Sequence, residues 1–228
     1  MIKDNLMETI LSFLRELSRN NNREWFDAHR QWYRQSLEQF REFIDGVLGG
    51  MVLFDPSLAG LEAKQTVFRI YKDTRFSKDK TPYKTNFGSW MSPGGRRSSD
   101  AGYYFHLEPG GCFMAAGVYM PPSDKLHLIR QEIVFNPAGF RKVFHDPWIM
   151  EHYERSGTED KLKKGPAGFP KDSEMMEELK YKHYIFSKDY PENGIVRKDF
   201  PARLVEDFRG LFPVVNYLNY ALSFSGNE

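Results

Sequence analysis

The sequence predicts an α+β protein: an N-terminal helical hairpin, a central and mostly antiparallel sheet of about four to five strands, and C-terminal helices. Three observations carry this expectation. Apolar residues recur at helical spacing through residues 1–50. Between 60 and 121 the pattern changes to short β-branched or aromatic runs divided by Pro and Gly clusters. From 122 onward, helical spacing returns. A single domain over 1–228 is expected, with the hairpin at 1–50, the sheet at 60–121 and a mainly helical remainder at 122–228.

The first helix, over 4–18, is set by Leu6, Ile10, Phe13, Leu14 and Leu17 on one face. Asn20, Asn21 and Asn22 interrupt it, and Asn21 with Glu24 fits a capping box for a second helix from Arg23 to Leu48. Gly49 and Gly50 are expected to end that helix. His29 shares a face with Trp25 and Tyr33 and reads as a histidine packed between aromatics. Residues 65–71 read as a strand, followed by a polar loop that Pro82 keeps out of helix. Further strands are expected at 86–91, 102–108 and 112–120, the last two joined by the turn Pro109-Gly110-Gly111. Helices are expected from Ser123 and again from Pro137, then a long surface connection over 155–172. A helical turn at 174–179 and a short strand at 183–186 come next. Two closing helices, 200–212 and 214–224, are expected to part at Pro213.

Charged residues make up 28% and hydrophobic residues 40%, the balance of an ordinary globular chain. No run of about 18 apolar residues offers a membrane span. The polar, amphipathic start lacks a signal-peptide core, and the single cysteine, Cys112, rules out an internal disulfide framework. Cytoplasm is the expected compartment.

Positive charge is concentrated in one place. Residues 69–84 hold six basic side chains (Arg69, Lys72, Arg75, Lys78, Lys80, Lys84) against Asp73 and Asp79, a net +4. With Arg96 and Arg97 the window 69–97 reaches +6, whereas the whole chain is +1. A positive patch on an otherwise mildly acidic chain points to a place where an anion is received.

The stretch from Phe68 through Arg75-Phe76-Ser77-Lys78-Asp79-Lys80-Thr81-Pro82-Tyr83-Lys84 resembles the signature of an uncharacterised family, domain of unknown function 2461 (DUF2461). Asn21-Asn22-Arg23-Glu24-Trp25-Phe26 and the segment Leu162 to Lys182, with its Gly165-Pro166-Ala167-Gly168-Phe169, are similar to that family in the same order. Lys72 departs from the arginine expected there, which keeps the charge and loses the planar fork. The resemblance spans nearly the whole chain but implies no activity, cofactor or site residue.

The residues themselves suggest a site. Arg69, Arg75, Lys78, Lys80 and Lys84 are the candidate ligand-binding residues, because arginine binds phosphate or carboxylate through paired hydrogen bonds and lysine adds a movable charge. Asp73, Tyr83 and His106 are the candidate proton-transfer residues. His106 and Glu108 fall on one face of an expected strand and read as an acid/base pair, as two metal ligands with no spacing to supply the rest of a site, or as a satisfied structural pair. An ordinary solvated loop, with Arg69 bridged to Asp73, is the competing reading of the basic stretch.

No Walker loop, dinucleotide glycine motif, nucleophile elbow or His-Glu-x-x-His motif occurs, and no metal or particular cofactor is indicated. A small phosphate- or carboxylate-bearing ligand is therefore the expected partner, bound with or without catalysis. The alternatives are docking of a protein partner or binding of nucleic acid through the same loop. A sequence pI near 7.8 argues against a general nucleic-acid binder.

Overall fold

The computed structural model describes residues 6–224 apart from Thr74, Phe76 and Ser77. Residues 4 and 5, the expected start of the first helix, and those three positions of the signature lie outside the described residues. The architecture is α+β, with an open antiparallel sheet of five strands and helices toward both ends of the chain. The strands are β1 (Phe87–Met91), β2 (Gly102–Leu107), β3 (Cys112–Val118), β4 (Glu154–Ser156) and β5 (Tyr184–Tyr190), ordered β1-β2-β3-β5-β4. The edge strand β4 pairs antiparallel with β5, placing Arg155 opposite Phe186.

Contacts divide the chain into two compact units, each assembled from separated segments. The first comprises 1–96, 104–114 and 189–206; the second comprises 97–103, 115–188 and 207–228.

In the first unit, α1 (Leu6–Arg19) buries Met7, Ile10, Leu11, Phe13, Leu14 and Leu17. The next helix is divided where one was expected. Its first piece, α2 (Arg23–Ala28), is capped by Asn22, whose side chain accepts the Trp25 amide hydrogen at 2.9 Å. The expected capping residue, Asn21, is engaged elsewhere. The second piece, α3 (Arg30–Met51), runs past Gly49 and Gly50. Between them His29 leaves helical geometry (φ −109°, ψ 20°), and its ring stacks on Trp25 at 4.1 Å while Nδ1 bonds the Trp25 carbonyl oxygen at 2.8 Å. The ring thus occupies a carbonyl at the interruption of the helical ladder.

The hairpin packs on the sheet through aromatic rings. Phe13 stacks on Phe87 at 6.3 Å, Phe40 on Phe87 at 5.3 Å, and Phe43 lies 5.5 Å from Phe105. Along β2 the alternation is plain: Phe105 and Leu107 are buried on this core side, and Tyr104 and His106 stand half-buried on the other. A short helix, α9 (Glu192–Ile195), presents Glu192 to Arg15 and to the Gly110 amide.

The expected strand at 65–71 does not form. Residues 63–66 make one helical turn, α4 (Ala63–Thr66), whose capping box pairs Glu62 with Gln65. Beyond that turn the residues make isolated bridges, Val67 with Ser89 of β1 and Tyr71 with Tyr83 across the loop that follows. The β-branched residues Thr66 and Val67 are buried, so burial explains their presence without a continuous ladder.

The second unit contains α5 (Ser123–Phe135), α6 (Pro137–Phe144), α7 (Pro147–His152) and α8 (Met176–Leu179). Phe140 and Phe144 stack at 4.4 Å and meet Tyr217 at right-angled contacts of about 6 Å. Arg155, opposite Phe186 in the sheet, pairs with Glu178, which also receives His145 at 3.0 Å. The connection expected over 155–172 therefore begins inside a strand, and the strand expected at 183–186 extends to Tyr190.

The closing helix, α10 (Phe200–Ser223), is continuous; Pro213 lies inside it on an exposed face rather than dividing it. A proline there removes one backbone bond, and the buried residues on either side, Leu211, Val214 and Val215, hold the helix together.

Candidate functional site

The basic stretch is a loop closed at its base. The Lys72 amide donates to the Pro82 carbonyl at 2.9 Å and the Lys84 amide to the Ile70 carbonyl at 2.8 Å, framing the Tyr71–Tyr83 bridge. Asn21 fastens the returning limb twice: its Nδ2 donates to the Tyr83 carbonyl at 2.9 Å, and its Oδ1 accepts the Tyr83 amide hydrogen at 3.1 Å. Tyr83 itself is 5% exposed and stacks on Phe26 at 3.9 Å. Burial, followed by the Asp27 charge, raises its hydroxyl above the usual phenol range.

Farther out, the loop neutralises itself. Arg75 grips Asp73 with Nε at 3.0 Å and Nη2 at 2.7 Å, and the Arg75 amide adds a third bond to the same carboxylate. That side-chain pairing holds the Asp73 carboxyl down at about 2. Lys72 pairs with Asp79, whose carboxyl is likewise held at about 2 by that bond and by the Thr81 amide. The bridge expected from Arg69 to Asp73 is thus made by Arg75 instead. Lys78 and Lys80 are exposed on the same loop.

Arg69 and Lys84 behave differently. Lys84 is half-buried, its Nζ 5.5 Å from the centre of the Phe68 ring. Burial, and then the like charge of Arg69, push its ammonium below the usual lysine range. Among the described residues no ion pair joins a carboxylate to Lys84. Arg69, an exposed residue, is near enough for its charge to act on Lys84 and on Asp73 alike.

The residues after Lys84 lead into a second group. Thr85 donates to Glu108 Oε1, and the Asn86 amide lies 3.2 Å from His106 Nδ1. His106 stands between two partners from its own strand side: Tyr104 Oη is 2.9 Å from Nδ1, and Glu108 Oε2 is 3.1 Å from Nε2. Its ring stacks on Phe113 of β3 at 4.7 Å. Burial, then the Glu108 charge, pushes the Tyr104 hydroxyl up to about 12, so it stays protonated near neutrality. The Phe68 ring lies 6.4 Å from that of Tyr104, so one phenyl ring borders both Lys84 and Tyr104.

Of the three expected proton-transfer residues, only His106 sits in a polar network of this kind. Asp73 is occupied by Arg75, and Tyr83 stacks in the aromatic cluster of the hairpin. Tyr104 and Asn86 were not singled out from the sequence. For Tyr104 the signal was present, because residues 104, 106 and 108 alternate onto one face; Asn86 is brought in by tertiary structure alone.

Among the described residues no group of three or more His, Cys, Asp or Glu side chains is arranged to hold a metal ion, and no helix is long and apolar enough to cross a membrane. Cys112 is buried, which raises its thiol above the usual range and disfavours the nucleophilic thiolate.

No curated protein and no solved structure matches the chain. A family model described as conserved hypothetical protein (DUF2461) matches residues 9–217, and the chain belongs to that family.

Proposed function

We propose that the protein binds a small oxyanion, phosphate- or carboxylate-bearing, at the foot of the basic loop, with Arg69 and Lys84 as the principal cations. What supports this reading is the placement of Lys84, half-buried beside the Phe68 ring with no carboxylate paired to it among the described residues, where burial and the Arg69 charge both act against its ammonium. A bound oxyanion relieves both effects, since opposite charge favours the ionised lysine and hydrogen bonds replace lost water. Arg75 and Lys72 are weaker candidates because Asp73 and Asp79 already hold them. Lys78 and Lys80 extend the positive field toward an arriving anion and steer its approach.

The self-neutralised outer loop also favours a small ligand over a nucleic-acid backbone, which needs a row of available cations. The lone, buried Cys112 suits a reducing compartment, and on that basis we read the protein as cytoplasmic.

The test is calorimetric titration of the full chain with inorganic phosphate and with sulfate, using wild type, Lys84→Met, Arg69→Gln and Arg75→Ala. Lys84→Met and Arg69→Gln are expected to weaken binding by about 1–3 kcal/mol, the scale of a charge-assisted hydrogen bond. Arg75→Ala is expected to change it by less than about 0.5 kcal/mol, the usual effect of a surface substitution. Equal affinities in wild type and Lys84→Met would overturn the assignment. A short oligonucleotide binding far more tightly than phosphate, with a steep salt dependence, would favour the nucleic-acid alternative.

A further inference from the structure

We infer that the ligand of the anion site carries a planar, unsaturated body joined to its anionic group. That body lies on a strip of aromatic rings that starts at Phe68 and crosses the outer face of the sheet. The inference rests on the anion reading above and adds the class of ligand.

The strip is continuous. Phe68 lies 6.4 Å from Tyr104, Tyr104 lies 5.6 Å from Phe113 and 5.9 Å from His106, and His106 stacks on Phe113 at 4.7 Å. Each of these residues is half-buried, and all belong to the first compact unit. The outward positions of a one-sided antiparallel sheet usually carry polar side chains. Here those of β2 and β3 hold Tyr104, His106 and Phe113, alternating with the buried Phe105, Leu107, Cys112 and Met114.

The polar atoms of the strip are already engaged with one another. Tyr104 Oη is 2.9 Å from His106 Nδ1, and the Asn86 amide is 3.2 Å from the same nitrogen. Glu108 meets His106 Nε2 through one oxygen and accepts from Thr85 through the other. A network satisfied in this way fixes the rings in place. It leaves their apolar surfaces, rather than their hydrogen-bonding atoms, for a ligand.

The cation stands at one end. Lys84 Nζ is 5.5 Å from the centre of the Phe68 ring, so an anion paired with it sits beside the first ring of the strip. A bare oxyanion uses that charge and leaves the ring surfaces in water. An attached planar ring covers them as well, in the offset or edge-on geometry that aromatic pairs favour. Its burial adds to the affinity that the charge supplies. The placement of Lys84 thus selects the occupant: one anionic group with a flat apolar body next to it. Aryl phosphates, aryl carboxylates and nucleoside monophosphates share this chemistry. They differ in reach, because the sugar of a nucleotide sets its base farther from the phosphate.

Calorimetric titration of the full chain with inorganic phosphate, phenyl phosphate, cyclohexyl phosphate, adenosine 5′-monophosphate, acetate and benzoate tests the inference. Phenyl phosphate is expected to bind at least about tenfold more tightly than phosphate, and benzoate than acetate, the gain from one ring contact and its burial. In Phe68→Leu both ratios are expected to fall toward one. Nuclear Overhauser contacts between the phenyl protons and the Phe68 ring are expected in wild type, a readout that requires no variant to fold. Adenosine monophosphate binding more tightly than phenyl phosphate, with contacts at Tyr104 and Phe113, would identify a nucleotide as the source of the ring. The reverse order would identify a small aryl acid. No gain for phenyl phosphate over phosphate or for benzoate over acetate would overturn the strip and leave the anion site standing. Cyclohexyl phosphate binding as tightly as phenyl phosphate would overturn the planar body. Contacts confined to rings elsewhere in the chain would sink the placement. Absence of binding by every probe in wild type would overturn this inference and the anion reading together.

Discussion

Gly88 leaves the space that the Tyr104 hydroxyl occupies: a Cβ built on Gly88 would stand 2.5 Å from Tyr104 Oη and 3.1 Å from two of its ring carbons. The glycine is in a strand and has no unusual backbone angle, so its role is room rather than flexibility. Gly88→Ala should therefore destabilise the protein by about 1–3 kcal/mol, the range for overpacking. In the background of Tyr104→Phe, which removes the oxygen, the same substitution should cost less. Chemical denaturation of the four variants checks this, and strictly additive losses would show that the two groups do not meet.

Asn21 should act as a clasp on the basic loop. Its two bonds to the Tyr83 backbone leave a partly buried amide and carbonyl unsatisfied when they are removed. Asn21→Ala is expected to cost about 1–3 kcal/mol. Hydrogen exchange should quicken at the Lys72 and Lys84 amides, which close the loop base, before it changes in α1. Uniform acceleration across the first unit would mean the clasp is not local.

Acid should open the outer loop late. The Asp73 and Asp79 carboxyls are depressed to about 2 from an ordinary 3.8, Asp73 chiefly by the Arg75 side chain and Asp79 chiefly by Lys72. A depressed carboxylate contributes stability that is complete above its ordinary range and is lost as pH falls through the folded value. Both ion pairs should hold at pH 4 and part as pH approaches 2. Carboxyl ¹³C titration reads this directly; midpoints near 4 would show that the pairs do not persist in solution. Both groups are exposed, so salt near 1 M should bring the midpoints back toward the ordinary value.

Pro213→Ala should stabilise α10. The substitution restores an amide that can bond within the helix and removes the ring from an exposed face. The unfolded chain gains freedom, which offsets part of the benefit. A net gain of about 1–2 kcal/mol is expected from the difference in helix preference less that offset. A shifted urea midpoint with an unchanged slope is the signature, and a loss of stability would assign the proline a packing role.

The elements most legible in the sequence were those whose pattern is local. The apolar face of α1, the turn at Pro109-Gly110-Gly111 and the alternation of β2 all depend on neighbours in sequence. The misread ones depend on distant partners. The run 65–71 has strand composition, yet it begins in a capped turn at Glu62–Gln65 and pairs through isolated bridges, one to β1 and one to Tyr83. The strand β4 is three residues long and has meaning only beside β5. Pro213 reads as a break until the buried faces on either side are seen to hold one helix.

The site divides in the same way. Lys84, His106 and Glu108 were apparent from charge and from alternation, and the choice among the loop cations was not. That choice is made by Asp73 and Asp79, which fold back onto Arg75 and Lys72. No spacing rule would have distinguished Arg75, gripped by its neighbour two residues away, from Arg69.

The discontinuous first unit has a consequence for synthesis. Phe200 stacks on Phe43 at 6.2 Å with an interplanar angle of 4°, and lies 5.8 Å from Phe105. On the ribosome, Phe43 and Phe105 emerge long before that partner does, so the nascent hairpin and its strands must wait with an open aromatic seam. Such a seam is the kind of transient surface that binds chaperones or aggregates. Slowing translation ahead of residue 200 would lengthen that exposure, and faster decoding there would shorten it.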